Sequence, residues 1–333
     1  MSAKSLNPVG RVIWPAAALL LLLLFNYFFT PGFFHVEVKD GRLFGSVIDI
    51  LNRAAPVMLL ALGMTLVIAT GGVDLSVGAV MAIAGTVAAL LVTKQGMPLS
   101  VIVLASLGAG LVCGLVNGFL VGFFAIQPIV ATLILMVAGR GIAQLLSDGQ
   151  IITVDRESFN FIGGGFLFGL PFPVTVVLVA AILVGLVTRR TAFGLYIESV
   201  GGNENALRYS GINPRFVKMG VYTLLGILAA VAGVIATSDI KAADANNVGL
   251  YLELDAILAV AIGGTSLVGG RFYLVGSLLG ALFIQALTTT ILSRGVPVQY
   301  TLVVKAVVII AVCLLQSEAF RAVFSRRMRR PAA

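Results

Sequence analysis

Polar residues that could bind a ligand interrupt the long apolar stretches of this chain. Their side chains are amides, carboxylates and guanidinium groups, which together donate and accept hydrogen bonds. Such a mixture suits a neutral ligand that carries many hydroxyl groups. The candidates for a substrate pathway are Asn52, Arg53, Asn117, Arg140, Gln144, Asp244, Asn246, Asn247, Glu253 and Asp255.

Several of these candidates also have a structural interpretation, and the sequence leaves both open. Arg140 and Gln144 are four residues apart, so they share one helix face and could clasp a neighbouring helix. Glu253 and Asp255 could lie in the first turn of a helix, where the helix dipole favours carboxylates. Asp74, which is framed by glycines, could cap the helix that follows it.

Motifs of catalysis, nucleotide binding and metal binding are missing from the sequence. It contains no P-loop, no HExxH, no CxxC and no GxSxG elbow. Cys113 and Cys313 lie in separate apolar runs and His35 is the single histidine, which excludes a disulfide framework and disfavours a metal site. We therefore expect no catalytic residue, no metal and no cofactor.

The composition indicates that lipid is the solvent of this fold. Of the 333 residues 59% are hydrophobic and only 11% are charged, and the mean hydropathy is +1.08. A soluble domain has about a quarter of its residues charged. We predict one all-α, polytopic transmembrane domain over residues 1–333, with about ten spans of about 20 residues each. The predicted spans are 12–30, 50–69, 76–93, 99–125, 128–147, 172–188, 217–238, 253–268, 273–292 and 299–316.

Two glycine-rich parts of this pattern, 50–93 and 253–292, could instead hold broken or re-entrant helices. Irregular backbone at membrane depth is tolerated where protein or a cavity surrounds it. The glycines within 263–271 predict a joint at which helices pack closely.

The positions of Lys and Arg predict the orientation of the chain. The net charge is +8, and most basic residues fall in loops on the side of the two termini, which places both termini in the cytoplasm. This distribution indicates membrane topology and not nucleic-acid binding. The arginine-rich tail 326–330 is expected to stay inside and to contact anionic lipid. The loop 148–171 then faces outside.

A second long loop, 189–216, is predicted to lie in the cytoplasm. A short helix fits 203–210, because Asn203 can cap its start and Gly211 can end it in a left-handed turn. Charges on this helix would face water or a partner protein.

Three ordered motifs resemble the ribose-type ABC sugar permeases over nearly the whole chain. The run from Glu253 to Leu267, closing with Gly269 and Gly270, resembles one family signature. The runs 72–79 and 202–212 resemble a second signature and the cytoplasmic loop. Within the family, the stretches 41–45, 48–56, 131–141 and 243–247 are similar to the permeases of bacterial galactofuranose transporters.

The resemblance implies an importer in the bacterial inner membrane with several partners. These are a periplasmic sugar-binding protein, a second permease subunit, related or identical, and a cytoplasmic ATPase that drives the cycle. The family's ATPase-coupling segment matches Gly202, Asn203, Glu204, Ala206, Arg208, Ser210 and Gly211. The chain departs from the family at one position of this segment, with Leu207 after Ala206 where the family often has paired alanines.

Other functions remain open at the level of sequence. The sugar could be ribose or another monosaccharide, since the same amides and carboxylates would serve. An ion-coupled secondary transporter would need carboxylates in the membrane, for which Asp74, Glu253 and Asp255 are candidates. A scaffold without transport is the third alternative, although it would not need a capped cytoplasmic helix.

Overall fold

Helices dominate the computed structural model, which describes residues 8–316 except 40 and 95. Lys4 and the tail 326–330, both used to predict the orientation, lie outside the described residues. The helices are α1 (Pro8–Phe29), α2 (Ser46–Ala69), α3 (Val77–Thr93), α4 (Leu99–Gly122), α5 (Pro128–Leu146), α6 (Glu157–Gly164), α7 (Phe172–Arg190), α8 (Ala192–Tyr209), α9 (Pro214–Asp239), α10 (Leu252–Ile262), α11 (Leu274–Ser293) and α12 (Val298–Gln316).

Six short strands form three antiparallel pairs in the segments between helices. They are β1 (Glu37–Lys39), β2 (Arg42–Phe44), β3 (Ile152–Thr153), β4 (Phe166–Leu167), β5 (Leu170–Pro171) and β6 (Ala242–Ala243). β1 pairs with β2, β4 with β5, and β3 with β6. The last pairing joins two segments that are distant in sequence and so fixes loop 147–156 to loop 240–251.

The all-α, polytopic fold class is confirmed, and a helix lies in each predicted span. Among the described residues, seven helices are long and apolar enough to cross a membrane: α1, α2, α4, α5, α7, α9 and α11. α3 is shorter at 17 residues, and α10 has only 11. The total of ten crossings stays a prediction.

Contacts between the segments that connect the helices define two ends of the bundle. We name the first of these the outer end, following the predicted orientation. The amide of Leu43 donates to the carbonyl of Gly169 at 3.1 Å. The guanidinium of Arg294 donates to the carbonyl of Phe29. Together with the β3–β6 pair, these contacts bring the segments after α1, α5, α9 and α11 to one end of the bundle.

The remaining connections meet at the opposite end, which we name the cytoplasmic end. The rings of Phe123 and Phe216 lie 5.4 Å apart, and the guanidinium of Arg189 lies 5.2 Å from the ring of Phe272. The amide of Gly270 donates to the carbonyl of Ala69 at 2.9 Å. The long helices therefore run between the two ends, with α3 leading the chain back between α2 and α4, and α10 with the segment after it leading it back between α9 and α11.

Helix α9 lies at the centre of the bundle because α4 approaches it along glycines. Gly110, Gly114, Gly118 and Gly122 recur every four residues on one face of α4. A Cβ atom on Gly114 would lie 2.5 Å from the carbonyl oxygen of Tyr222, and one on Gly118 would lie 2.7 Å from the Cα of Met219. Small residues at this spacing let two backbones pack in contact.

The predicted span 253–268 is wrong at its second end, because α10 stops at Ile262. Gly264 has a φ of 82°, a left-handed conformation that ends the helix. Residues 263–273 continue to the cytoplasmic end without helical structure. Gly263 packs directly on the backbone of Gly276 in α11, which confirms the predicted close joint.

The two long loops contain more structure than the sequence predicts. The outer segment 148–171 contains α6 and the β4–β5 hairpin, and the cytoplasmic segment 189–216 is largely helical. In α8 the backbone leaves helical geometry at Asn203 (φ −160°, ψ 98°), so the predicted short helix is the second part of a longer element.

Candidate functional site

A cavity of about 370 Å³ opens near the outer end, between α2, α6, α9 and α11. Its volume is in the range of small-molecule sites, about 300–1,000 Å³. Four of the predicted pathway residues line it: Asn52, Arg53, Asp244 and Asn247. The other lining residues include Pro56, Asp239, Val248 and Gln285.

Helix α2 presents Asn52 and Arg53 to this cavity one turn before Pro56. Proline has no amide hydrogen, so it cannot donate to the carbonyl of Asn52, and the helix is weakened at this point. The side-chain oxygen of Asn52 is buried and accepts no hydrogen bond from the described residues. A buried acceptor without a donor is costly, which makes this oxygen suited to a ligand hydroxyl.

Two polar side chains of the cavity were absent from the predicted pathway set. Asp239 ends α9 and lines the cavity together with Arg53, so a carboxylate and a guanidinium group border the same space. Gln285 lies in the middle of α11, where its amide donates to Thr289 at 3.4 Å. The signal that could have found Gln285 was a single amide within the apolar run 273–292.

The segment after β6 carries Asp244 and Asn247 to the cavity in a tight, hydrogen-bonded turn. The Asp244 carboxylate accepts from the side chain of Asn247 at 2.7 Å and from the amides of Asn246 and Asn247 at 2.9 and 3.2 Å. These donors, with the Asn247 side chain first, hold the pKa of Asp244 below its ordinary value despite some desolvation. Asp244 is therefore a carboxylate at neutral pH.

Arg140 and Gln144 on α5 hold this outer segment from the side. The Arg140 guanidinium donates to the carbonyls of Ala245 and Val248 at 2.9 and 2.7 Å. The Gln144 amide donates to the side chain of Asn246 at 2.6 Å. In this conformation both residues act on the shape of the site through the segment that they grip.

At the cytoplasmic end, the second part of α8 has the two features that were predicted for it. The side-chain oxygen of Asn203 accepts from the amide of Ala206 at 3.0 Å, and Gly211 has a φ of 85°. Glu204 pairs with Lys218 of α9 at 2.7 Å, and Leu207 is buried in the core. The segment is therefore a capped helix held against α9, with Tyr209 91% exposed beside it.

A polar surface of positive charge surrounds the end of this segment. Arg208 and Arg215 line a shallow pocket of about 320 Å³ together with Gly211, Ile212 and Asn213. Ser210 donates to the carbonyl of Leu207 at 2.7 Å, so its hydroxyl closes the helix end. Such a surface is available to an acidic partner.

Comparison with known proteins supplies the family. Residues 46–313 match the model of the branched-chain amino acid transport system permease component. The chain is 54% identical to the galactofuranose transporter permease protein of Escherichia coli strain K12, over 94% of this chain and 93% of the relative. It is 40% identical to a fructose import permease protein of Bifidobacterium longum (92% and 88% covered) and 37% identical to the ribose import permease protein of Escherichia coli strain K12 (90% and 92%).

The chain belongs to this family of transport permeases.

Because the proteins of this family are multi-pass membrane permeases, the solvent around the apolar helices is lipid. The predicted resemblance to sugar permeases of this family is confirmed by the matches. The cavity and the cytoplasmic segment then lie near opposite faces of the membrane, in the same polypeptide.

One predicted pathway residue, Asn117, lies in a polar cluster of the permease core. Its amide donates to the Ser76 hydroxyl at 2.8 Å and to the Asp74 carboxylate at 3.2 Å. The Asp74 carboxylate also accepts from the amide and hydroxyl of Ser76, at 2.8 and 2.6 Å. This geometry favours the structural interpretation, in which the loop before α3 is clasped to α4.

Glu253 and Asp255 of the permease both lie in the first turn of α10 and are not among the residues that line the cavity. Glu253 is buried, and a Cβ atom on Gly78 of α3 would lie 2.7 Å from one of its carboxylate oxygens. Asp255 pairs with Lys305 of α12 at 3.0 Å, with both side chains largely buried. A role for these two carboxylates in the pathway stays a prediction.

Proposed function

We propose that this permease is the membrane subunit of an ATP-driven importer that carries galactofuranose inward across the bacterial inner membrane. A periplasmic sugar-binding protein delivers the ligand, a second permease of the same family completes the pathway, and a separate ATPase supplies the energy. The observation that carries the proposal is the polar cavity near the outer end, in a chain with sugar permeases among its relatives.

The chemistry of the cavity supports a sugar as the ligand. Amides at Asn52, Asn247 and Gln285 can each donate and accept, and Asp239 with Arg53 adds a carboxylate and a cation. A sugar hydroxyl donates and accepts in the same way, so several can be paired without a net charge in the ligand. The site needs only weak affinity, because the binding protein captures the ligand.

The cytoplasmic segment supports the ATPase as the source of energy. A capped helix with exposed Arg208 and Tyr209 is a rigid, water-facing element on an otherwise apolar protein. Docked in the ATPase, it moves when nucleotide binding closes the ATPase pair, and the permease then opens to the other side. Ion coupling would need a carboxylate in the membrane, but Asp255 is paired with Lys305 and Asp74 accepts from Ser76 and Asn117, which leaves Glu253 for that alternative.

Competition between sugars tests the substrate. In proteoliposomes with the whole importer, excess unlabelled galactofuranose should abolish uptake of labelled galactofuranose, while excess ribose or fructose should leave it nearly unchanged. Equal competition by ribose would contradict the assigned sugar and favour a ribose permease, as the third relative suggests. Absence of uptake of all three sugars would contradict sugar transport.

A further inference from the structure

We infer that a three-way glycine joint at the cytoplasmic end is the element that transmits motion of α8 to the cavity. Its parts are Gly201 in α8, the end of α2 at Ala69, and the pair Gly269–Gly270 in the segment after α10. The inference rests on the proposed function, because it concerns the path between the ATPase-coupling segment and the sugar site. It assigns to Gly201 a positioning role.

The backbones of the three segments touch at this joint. A Cβ atom on Gly201 would overlap both the carbonyl oxygen of Ala69 and the amide nitrogen of Gly270. One on Gly269 would lie 3.1 Å from the amide nitrogen of Gly71 and 3.2 Å from the carbonyl oxygen of Gly201. No side chain cushions these contacts, so a displacement of α8 acts directly on the backbone of α2.

A hydrogen bond within the joint satisfies a carbonyl group that helix α2 cannot satisfy by itself. The last four carbonyl groups of a helix lack an internal partner. The Ala69 carbonyl, in the last turn of α2, accepts from the amide of Gly270 at 2.9 Å, and Ala69 is fully buried. Gly270 can offer its amide there because its φ is 95°, a conformation that other residues rarely adopt.

Helix α2 leads from this joint to the cavity. Between Arg53 and Ala69 the helix rises about 24 Å, at about 1.5 Å per residue. Most of this length is buried, and Thr65 donates to Ser277 of α11 at 2.7 Å, which links α2 to the helix that carries Gln285. Pro56 weakens the helix beside the cavity, so a push on α2 is expected to change the position of Asn52 and Arg53.

The test compares two glycine-to-alanine substitutions that differ in what the new methyl group meets. Gly201→Ala places it inside the joint, whereas Gly185→Ala in α7 places it where no atom lies within 4 Å. In the whole importer, Gly201→Ala should assemble with the ATPase and keep ATP hydrolysis, but sugar uptake per ATP should fall about tenfold, as for loss of a coupling between sites. Gly185→Ala should match the original protein.

The outcomes separate this inference from the proposed function. If the original complex transports sugar and Gly201→Ala transports it equally well per ATP, the joint does not transmit the motion. If the original complex hydrolyses ATP and moves no sugar, the proposed function itself fails. If Gly201→Ala assembles normally but loses ATP hydrolysis together with uptake, Gly201 acts on the ATPase and not on the path to the cavity, and that result would also overturn the inference.

A second measurement tests the inference without Gly201→Ala, in case that variant does not fold. Spin labels at Leu195→Cys in α8 and Val268→Cys beside Gly269, both exposed positions, report whether the joint moves as one body. Their distance should be the same in nucleotide-free and ATP-bound complexes, with Cys113 and Cys313 replaced by alanine. A change of more than about 2 Å, the scale of a real rearrangement, would show that the joint opens and would contradict the inference.

Discussion

At the scale of residues, the amides of the cavity decide which ligands it can hold. Asn247 donates two hydrogen bonds to the Asp244 carboxylate, one from its side chain and one from its backbone amide. Asn52 contributes a buried oxygen that accepts nothing from the described residues. The two residues therefore offer different chemistry to the cavity.

Replacing Asn52 with alanine should weaken sugar passage without loss of assembly. One lost hydrogen bond costs about 1 kcal/mol, so uptake at low sugar concentration should fall about fivefold. The control is Gln150→Ala, an exposed amide in the outer loop that lies outside the cavity lining. Uptake by Asn52→Ala at the original rate would remove this residue from the pathway.

The pair Asp255–Lys305 separates transport driven by ions from a structural link between α10 and α12. If the pair is structural, Lys305→Met leaves a buried carboxylate without its partner and should lower the free energy of unfolding by about 3–5 kcal/mol. The double variant Asp255→Asn with Lys305→Met should regain much of that loss, measured as thermal stability in detergent.

Uptake by the double variant gives the complementary result. We expect it to keep ATP-driven uptake, because neither residue lines the cavity. Loss of uptake in a stable double variant would indicate that Asp255 carries an ion or a proton.

At the scale of elements, the approach of α4 to α9 depends on missing side chains. Gly114→Ala would force the backbone of Tyr222 and Thr223 to shift, and such overpacking costs about 1–3 kcal/mol. The matched control is Gly108→Ala in the same helix, where nothing lies within 4 Å. Thermal inactivation should occur at a lower temperature in Gly114→Ala alone, and equal stability of the two variants would contradict the close packing.

The proposed coupling to the ATPase depends on the second part of α8. Arg208→Ala removes an exposed charge that makes only a 3.8 Å contact with Glu204, so the permease should fold normally. ATP hydrolysis by the complex should then continue while uptake falls several-fold; Lys94→Ala, an exposed charge at the outer end, is the control. Unchanged uptake by Arg208→Ala would contradict the coupling role.

Helices with long apolar runs could be predicted from the sequence, whereas the short elements could not. The length and hydropathy of 99–125 are sufficient to predict α4, because a helix that crosses lipid must be apolar along its whole length. α10 ends early because Gly264 takes a left-handed conformation, and a hydropathy pattern does not register that. α6 and the first part of α8 depend on tertiary contacts, such as Gly163 against the backbone of Asp239 and the full burial of Ile197.

The candidate site also contains residues whose role the sequence could predict and residues whose role it could not. Asn52, Arg53, Asp244 and Asn247 could be singled out as polar residues in or beside apolar spans, and they meet at one cavity. Arg140 and Asn117 have the same residue chemistry, but their partners are backbone carbonyls of Ala245 and Val248 and the polar groups of Asp74 and Ser76. Only the distances between helices distinguish a residue that lines a cavity from one that clasps its neighbour.

At the scale of the whole molecule, the fold separates the proposed sugar site from the proposed site of energy input. The cavity lies near the outer end and the arginine-bordered segment lies at the cytoplasmic end, with α2 and α9 running between them. A solute therefore crosses only if the two ends change together, and this requirement is the central claim for the permease.

The most direct test is uptake of labelled galactofuranose by proteoliposomes that contain the whole importer and its binding protein. We predict uptake that requires ATP on the side of Arg208 and Tyr209 and that continues when proton and sodium gradients are collapsed by ionophores. Uptake that needs an ion gradient and proceeds without ATP would contradict the claim.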